Sequence, residues 1–208
     1  MRFKFASFIA AGLAVLIATA ALAATWPIER MRAETVQIKG IGSGVVISDW
    51  QILTARHVAG TTLGAALTVI FPDGQERVGK VVWASPDLDV AIIGVAVPEG
   101  SPAAVLDCRA PRVGDEVAIV GFPFPDKWNV RYAYTFGRVA SVEPNPAFPY
   151  SWAVFMDANI FPGNSGGPVF ATTGKVMGIA VAGIGMQGGS GLSVMVPSAR
   201  LCPQIGVQ

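Results

Sequence analysis

Histidine occurs once in these 208 residues and cysteine twice. That is too few ligands of the right kind to build a zinc site, so no metal is expected. Charge is also scarce: charged residues make up 14% of the chain and the net charge is +1. Neither a basic face for nucleic acid nor an acidic tail follows from such a balance. Beyond the N-terminal run, no long segment repeats apolar residues at helical spacing, no fixed period marks an internal repeat, and no low-complexity tract occurs. Helices are therefore expected only as accessories. What the chain does have is apolar surface, 52% of its residues. That suffices for one compact unit, or two small barrels sharing a cleft, and excludes a disordered chain.

The first positive signal is N-terminal. Arg2 and Lys4 precede an uncharged stretch from Phe5 to Ala24 that closes on Ala21-Leu22-Ala23-Ala24. A charged start, an apolar middle and a small-residue end read as a secretory signal over residues 1–23, cut after Ala23. The same run is long enough, at about 20 residues, to span a bilayer as an uncleaved anchor. Either way the remaining chain, 24–208, is expected outside the cytoplasm, periplasmic or secreted, with no stable membrane span once the signal is cut. In an exported protein Cys108 and Cys202 suggest one disulfide, the alternative being two buried thiols.

From Ala24 onward short β-branched and aliphatic runs alternate with Gly, Pro, Asp and Asn. Strands are predicted at Gly44–Ile47, Ile52–Thr54, Leu67–Phe71, Val78–Trp83, Val90–Val95, Glu116–Val120, Trp152–Met156, Lys175–Ala180 and Leu192–Val196. Many short strands at this spacing predict an all-β sandwich or barrel. Asp73-Gly74 marks a hairpin turn. A short helix is predicted near Ser198–Ile205, and Pro98–Arg112, rich in Pro and Ala, is the candidate linker between two halves.

Chemistry concentrates in Pro162-Gly163-Asn164-Ser165-Gly166-Gly167-Pro168. A serine among glycines can sit on a tight turn with backbone N–H groups turned toward a substrate oxygen. The pattern also satisfies the Gly-x-Ser-x-Gly elbow of α/β-hydrolases, but there the histidine follows the serine and a helix follows the elbow. Here His57 lies upstream, and Pro168 opens a β-like run. The subtilisin order needs an aspartate before the histidine, and only Asp49, in a turn, is available. The order His, Asp, Ser remains. As the sole side chain whose ordinary pKa is near neutrality, His57 is the natural general base for a serine hydroxyl.

Three segments in that order resemble trypsin-like serine proteases of the HtrA type. Gly42-Ser-Gly-Val-Val-Ile-Ser48 with Ile52-Leu-Thr-Ala-Arg-His-Val58 is similar to the strand pair leading to the base. Ser85-Pro-Asp-Leu-Asp-Val-Ala-Ile-Ile93 is similar to the segment of the orienting aspartate and favours Asp89 over Asp87. Asp157-Ala-Asn-Ile-Phe-Pro-Gly-Asn-Ser-Gly-Gly-Pro168 resembles the nucleophile segment. The resemblance implies two antiparallel β-barrels, over about 34–100 and 112–200, with the site in the cleft between them. It implies a cofactor-free serine endopeptidase acting on polypeptides, with Ser165 as nucleophile, His57 as base, Asp89 orienting it, and the N–H groups of Gly163 and Ser165 as the oxyanion hole. The alternative from another class is a protease-fold binding or scaffold protein with little turnover.

The departures from trypsin also carry implications. Asn164 replaces the aspartate that pairs with a freed N-terminus in trypsin, as it does in the HtrA branch, so activation by that ion pair is not expected. Val58 replaces a cysteine, so the disulfide beside the base is missing. Arg56 is expected to point to solvent rather than to touch substrate. The chain ends soon after its last strand, which leaves no room for the PDZ domain of HtrA proteins. Cys108 and Cys202 fall in the two regions that a trypsin disulfide joins, so that bond is expected here. By resemblance the primary pocket comes from Asn159 to Phe161, Ala180, Val181, Ala182 and Gly183, and Gly191 to Ser193. None of these is acidic, which implies small or medium apolar side chains rather than Arg or Lys. Gly183-Ile-Gly-Met-Gln-Gly188 matches a dinucleotide pattern but has no helix after it and reads as a loop. Trp50, Trp83, Trp128 and Trp152 read as core.

Overall fold

Strands rich in Val and Ile bury one face easily, but an open sheet made from them leaves unpaired edges, and closing the sheet removes both problems. The computed structural model describes residues 26–124, 131–143, 152–185 and 191–207. The signal at 1–23, Trp128 and part of the Gly183–Gly188 loop lie outside these. In chain order the elements are α1 (Ile28–Glu34), β1 (Thr35–Ile38), β2 (Gly42–Ser48), β3 (Gln51–Thr54), α2 (Arg56–Ala59), β4 (Ala66–Ile70), β5 (Glu76–Ala84) and β6 (Ala91–Gly94). They continue as β7 (Glu116–Gly121), β8 (Ala133–Ser141), β9 (Val154–Met156), β10 (Pro168–Ala171), β11 (Val176–Ile184), β12 (Leu192–Pro197) and α3 (Ser198–Ile205).

Two closed antiparallel barrels result, with strand orders β1-β2-β3-β6-β5-β4 and β10-β11-β12-β9-β8-β7. Relabelled from its first strand, the second order repeats the first, so the fold is a duplication that no period in the sequence marks. The fold is thus the all-β two-barrel architecture implied by the resemblance. Asp73-Gly74 forms the β4–β5 turn, with Gly74 at φ 86°.

The second barrel is buried on both faces where it meets the first. Val117 and Ile119 of β7 join Met156, Val169 and Met195 in one cluster. Ala118 and Val120 of the same strand belong to another, with Phe170, Val196 and the first-barrel residues Val36, Ile52 and Leu53. Strands buried on both sides read as continuous apolar runs. Each fully buried aliphatic side chain contributes about 1.5–3 kcal/mol. Three strands, β1, β8 and β10, and two helices, α1 and α2, are absent from the predicted elements, β10 being legible only as a β-like run after Pro168; all are short or exposed. α1 and α2 have seven and four residues, too few to show a period, and β8 has one buried position in nine. Trp50, read as core, is instead 56% exposed; it follows β2 in a turn whose outer side faces water.

The linker touches both barrels. Ala104 N–H donates to the Val46 carbonyl, and Asp107 N–H to that of Val176, each at 2.8 Å. Cys108 is disulfide-bonded to Cys202 of α3, closing a sequence separation of 94 residues. In the chain-entropy view such a loop stabilises by up to about 4.7 kcal/mol, with about 2–4 typical of measured disulfides. Replacing both cysteines by alanine is therefore expected to lower unfolding free energy by about 2–4 kcal/mol, read from urea midpoints, while the far-UV circular dichroism of the folded state stays unchanged.

Candidate active site

β3 ends at Thr54, and the single turn of α2 lifts the next residues off the barrel. There the His57 N–H donates to Asp89 Oδ1 at 2.9 Å, and His57 Nδ1 lies 2.7 Å from Asp89 Oδ2. Both contacts are to one carboxylate, so ring and backbone are held together. Asp89 sits in the β5–β6 connection, flanked by buried Leu88 and Val90. Ser85 Oγ shapes this connection by accepting the N–H groups of Asp87 (3.3 Å) and Leu88 (3.0 Å). The Asp89 side chain is 11% exposed and that of His57 46%, so the carboxylate is enclosed and the ring reaches solvent. Burial pushes the Asp89 carboxyl up. The hydrogen bonds and charge of His57, with a smaller contribution from Arg56, outweigh it and hold the group below the ordinary carboxylate range.

Arg56 corrects its sequence reading. It does not extend freely into solvent: its Nη1 donates to the carbonyls of Ser85 (2.6 Å) and Pro86 (2.9 Å). A guanidinium can grip two carbonyls at once because its donors are fixed in a plane. The aspartate loop is gripped elsewhere too, by Ser85 Oγ donating to Gln204 Oε1 of α3 (2.7 Å) and by Trp152 Nε1 donating to the Asp87 carbonyl (3.0 Å).

Ser165 belongs to the other barrel, on the turn before β10. The turn is built from backbone bonds: Asn164 N–H to Phe161 O, Gly167 N–H to Asn164 O, and Phe124 N–H to Pro162 O, all 2.8–2.9 Å. Gly166, at φ 84°, is required for two reasons. Its conformation disfavours other residues, and a Cβ there would run into Thr54 Oγ1 and the Ser43 carbonyl. A Cβ on Gly42 would likewise lie 2.7 Å from the Ser165 carbonyl and 2.9 Å from a Val58 methyl. Ser165 and the residue after His57 therefore abut the same glycine. The N–H groups of Gly163 and Ser165 donate to no described residue. The Ser165 hydroxyl donates to the Val181 carbonyl at 3.4 Å, not to His57.

The residues read as pocket wall are placed unequally. Asn159 is exposed and its carbonyl accepts from Thr135 Oγ1, while Ala182 is half-buried and Gly183 exposed. Val181 is buried and meets Ser165 through its carbonyl. Ala180 is fully buried in the second-barrel core and reaches the turn only through its backbone, which pairs with Gly166 and Gly167. A methyl pointing inward from the barrel wall is not available to substrate, which corrects its reading as a contact residue. Asn164 is fully buried and neither of its amide atoms has a hydrogen-bond partner among the described residues. Among those residues no group of three or more His, Cys, Asp or Glu could hold a metal.

Residues 42–179, which include both barrels' contributions to this cleft, match the family model described as Trypsin-like peptidase domain. The chain belongs to the trypsin-like peptidase family. Its similar proteins include a probable periplasmic serine endoprotease, DegP-like, of Brucella suis, 36% identical over 162 residues, 76% of this chain and 31% of that protein. A DegP-like counterpart in Halomonas elongata is 33% identical over 163 residues, 76% of this chain and 33% of the other. The trypsin-like chain thus spans about a third of the length of these curated relatives. Among solved structures it resembles the serine endoprotease from Yersinia pestis, with a TM-score of 0.72 and 24% identity over 86% of this chain and 64% of that one, a likeness of fold. The HtrA-type protease AlgW with tripeptide matches with a TM-score of 0.72 and 25% identity over 86% and 60% of the two chains. HtrA-type and DegP-like serine proteases are thus among the proteins to which this trypsin-like peptidase chain is similar.

The depressed Asp89 carboxyl has a stability consequence. A group whose folded pKa lies below its unfolded value, about 3.9 for aspartate, stabilises the fold above that value and ceases to as pH falls through the folded pKa. The unfolding free energy that the parent holds over Asp89→Asn is expected to be largest near pH 6 and to shrink on acidification below about pH 4, read from denaturant midpoints along a pH series.

Proposed function

We propose that this chain is a serine endopeptidase acting on polypeptides outside the cytoplasm, through an acyl-enzyme on Ser165. The observation that carries the reading is the doubly bonded His57–Asp89 pair beside a serine turn whose Gly163 and Ser165 N–H groups donate to no described residue. Rotation of the Ser165 side chain from Val181 O onto His57 Nε2 starts the reaction. His57 takes the hydroxyl proton as Oγ attacks the scissile carbonyl, and Asp89 keeps Nδ1–H in place and stabilises the imidazolium. The two N–H groups receive the oxyanion, each worth about 3 kcal/mol in such sites. His57 then returns the proton to the leaving amine, and water repeats the sequence on the ester. No observation favours the scaffold alternative.

Export is supported by the N-terminal segment 1–23 and by the periplasmic designation of the DegP-like relatives. Among the described residues no helix is long and apolar enough to cross a membrane. The half-buried Ala182, exposed Gly183 and exposed Asn159 carry no negative charge for a basic side chain, which supports a preference for small or medium apolar residues before the scissile bond. With peptide anilides, alanine or valine at that position is expected to be cleaved at least about tenfold faster in kcat/KM than arginine; a faster arginine substrate overturns this pocket assignment.

The catalytic reading is tested with a fluorophosphonate probe on the exported form. The parent is expected to label, Ser165→Ala and His57→Ala not to label, and Asp89→Asn to turn substrate over about 10⁴-fold more slowly. A folded parent that does not label overturns the reading.

A further inference from the structure

The nucleophile turn is held in place from the opposite barrel by a single side chain, and its own buried side chain does not help. Ser43, on β2 of the first barrel, is 0% exposed. Its hydroxyl donates to the Gly163 carbonyl at 2.7 Å and accepts the Phe122 N–H at 3.0 Å. Its backbone N–H donates to the Ser165 carbonyl at 2.9 Å, and its own carbonyl accepts from Thr54 Oγ1 at 2.7 Å. A serine hydroxyl has one hydrogen to donate. Here that hydrogen goes to the peptide between Gly163 and Asn164.

This peptide lies between the two N–H groups assigned to the oxyanion hole. The planes that carry those groups are fixed through other carbonyls: Pro162 O accepts from Phe124 and Asn164 O from Gly167, both within the second barrel. The middle plane has two ties, its Asn164 N–H to Phe161 O within the turn and the Ser43 hydroxyl on Gly163 O, and only the second reaches it from the opposite barrel. Asn164 could have tied the turn down by its amide, yet Oδ1 and Nδ2 have no hydrogen-bond partner among the described residues. The neighbourhood is also shaped around the Ser43 side chain, since a Cβ on Gly121 would lie 2.9 Å from Ser43 Oγ and one on Gly167 3.2 Å from Ser43 Cβ.

We infer that Ser43 is a positioning residue whose hydroxyl, linking Phe122 N–H to Gly163 O across the barrel boundary, aligns the Gly163 and Ser165 N–H groups for the oxyanion. The inference rests on the proposed acyl-enzyme chemistry. Without the hydroxyl, the part-buried Gly163 O and the buried Phe122 N–H both lose their partner, and the middle peptide keeps only the Asn164 N–H bond to Phe161 O, a tie from within its own turn that leaves the carbonyl end loose. The N–H groups on either side then drift from the line along which charge develops. Ground-state binding, made by the pocket walls, is unaffected.

The test compares the parent with Ser43→Ala and Ser43→Cys, the latter keeping the side-chain shape with a weaker donor. Rates are expressed per active site titrated with fluorophosphonate. Ser43→Ala is expected to lower kcat by about 10- to 100-fold with KM within about twofold. It is also expected to weaken a peptide boronate, which mimics the tetrahedral species, by a similar factor, with Ser43→Cys intermediate in both. A merely structural role would lower the titrated fraction and the melting temperature and leave kcat per site and boronate affinity at parental values, which overturns the inference. A fall in kcat without loss of boronate affinity also overturns it. Failure of the parent itself to label would overturn the acyl-enzyme reading, and with it any role of Ser43 in that chemistry; loss confined to the variants leaves that reading standing.

Discussion

The serine and the histidine of this cleft stand on different barrels, and their relation depends on how closely two backbones approach where β2 meets the turn before β10. Ser43 donates to Ser165 O through its N–H and to Gly163 O through its hydroxyl. Gly42 and Gly166 lack the Cβ atoms that would push the surfaces apart. Small residues at this seam let main-chain hydrogen bonds replace side-chain packing, and such bonds, protected from water, hold direction as well as distance. The proposed chemistry needs both, because an oxyanion is stabilised only by donors already aimed at it.

The aspartate loop answers a related constraint. Asp89 sits in an enclosed place, where burial alone would push its carboxyl up. His57 supplies two hydrogen bonds, and Arg56, by gripping the Ser85 and Pro86 carbonyls, holds the loop and places a cation nearby. Gln204 of α3 reaches the same loop, and α3 is in turn bonded to the linker through the disulfide. The terminal helix, which follows the second barrel in sequence, thereby braces a loop of the first.

β7 and β12, apolar on both faces, stood out as continuous runs, as did β2, β3 and β6 of the first barrel, whereas β1, buried but only four residues long, did not. β8 was hidden because its outer face is solvated and its alternation weak, and α1 and α2 because a few residues cannot show a period. The residues of the cleft were legible through motif order, since a lone histidine, an aspartate before an aliphatic pair and a serine among glycines fit few arrangements. Their supports were not. Ser43 looks like any small residue in a strand, and Arg56 like any charged residue near a surface, because what each does depends on a carbonyl far away in sequence.

By itself the sequence determined the kind of structure and which chemistry to propose. Its strand spacing, its turn residues and the order of His57, Asp89 and Ser165 are local or ordinal properties that survive without coordinates. Tertiary structure alone decided which way the groups face: that Ala180 points into a core, that Arg56 holds a loop, that the Ser165 hydroxyl rests on Val181 O, and that Ser43 joins the barrels. The reason is physical. Hydrogen bonds at 2.6–3.0 Å between segments up to 120 residues apart depend on where two closed barrels come to rest against each other, and no local pattern carries that information.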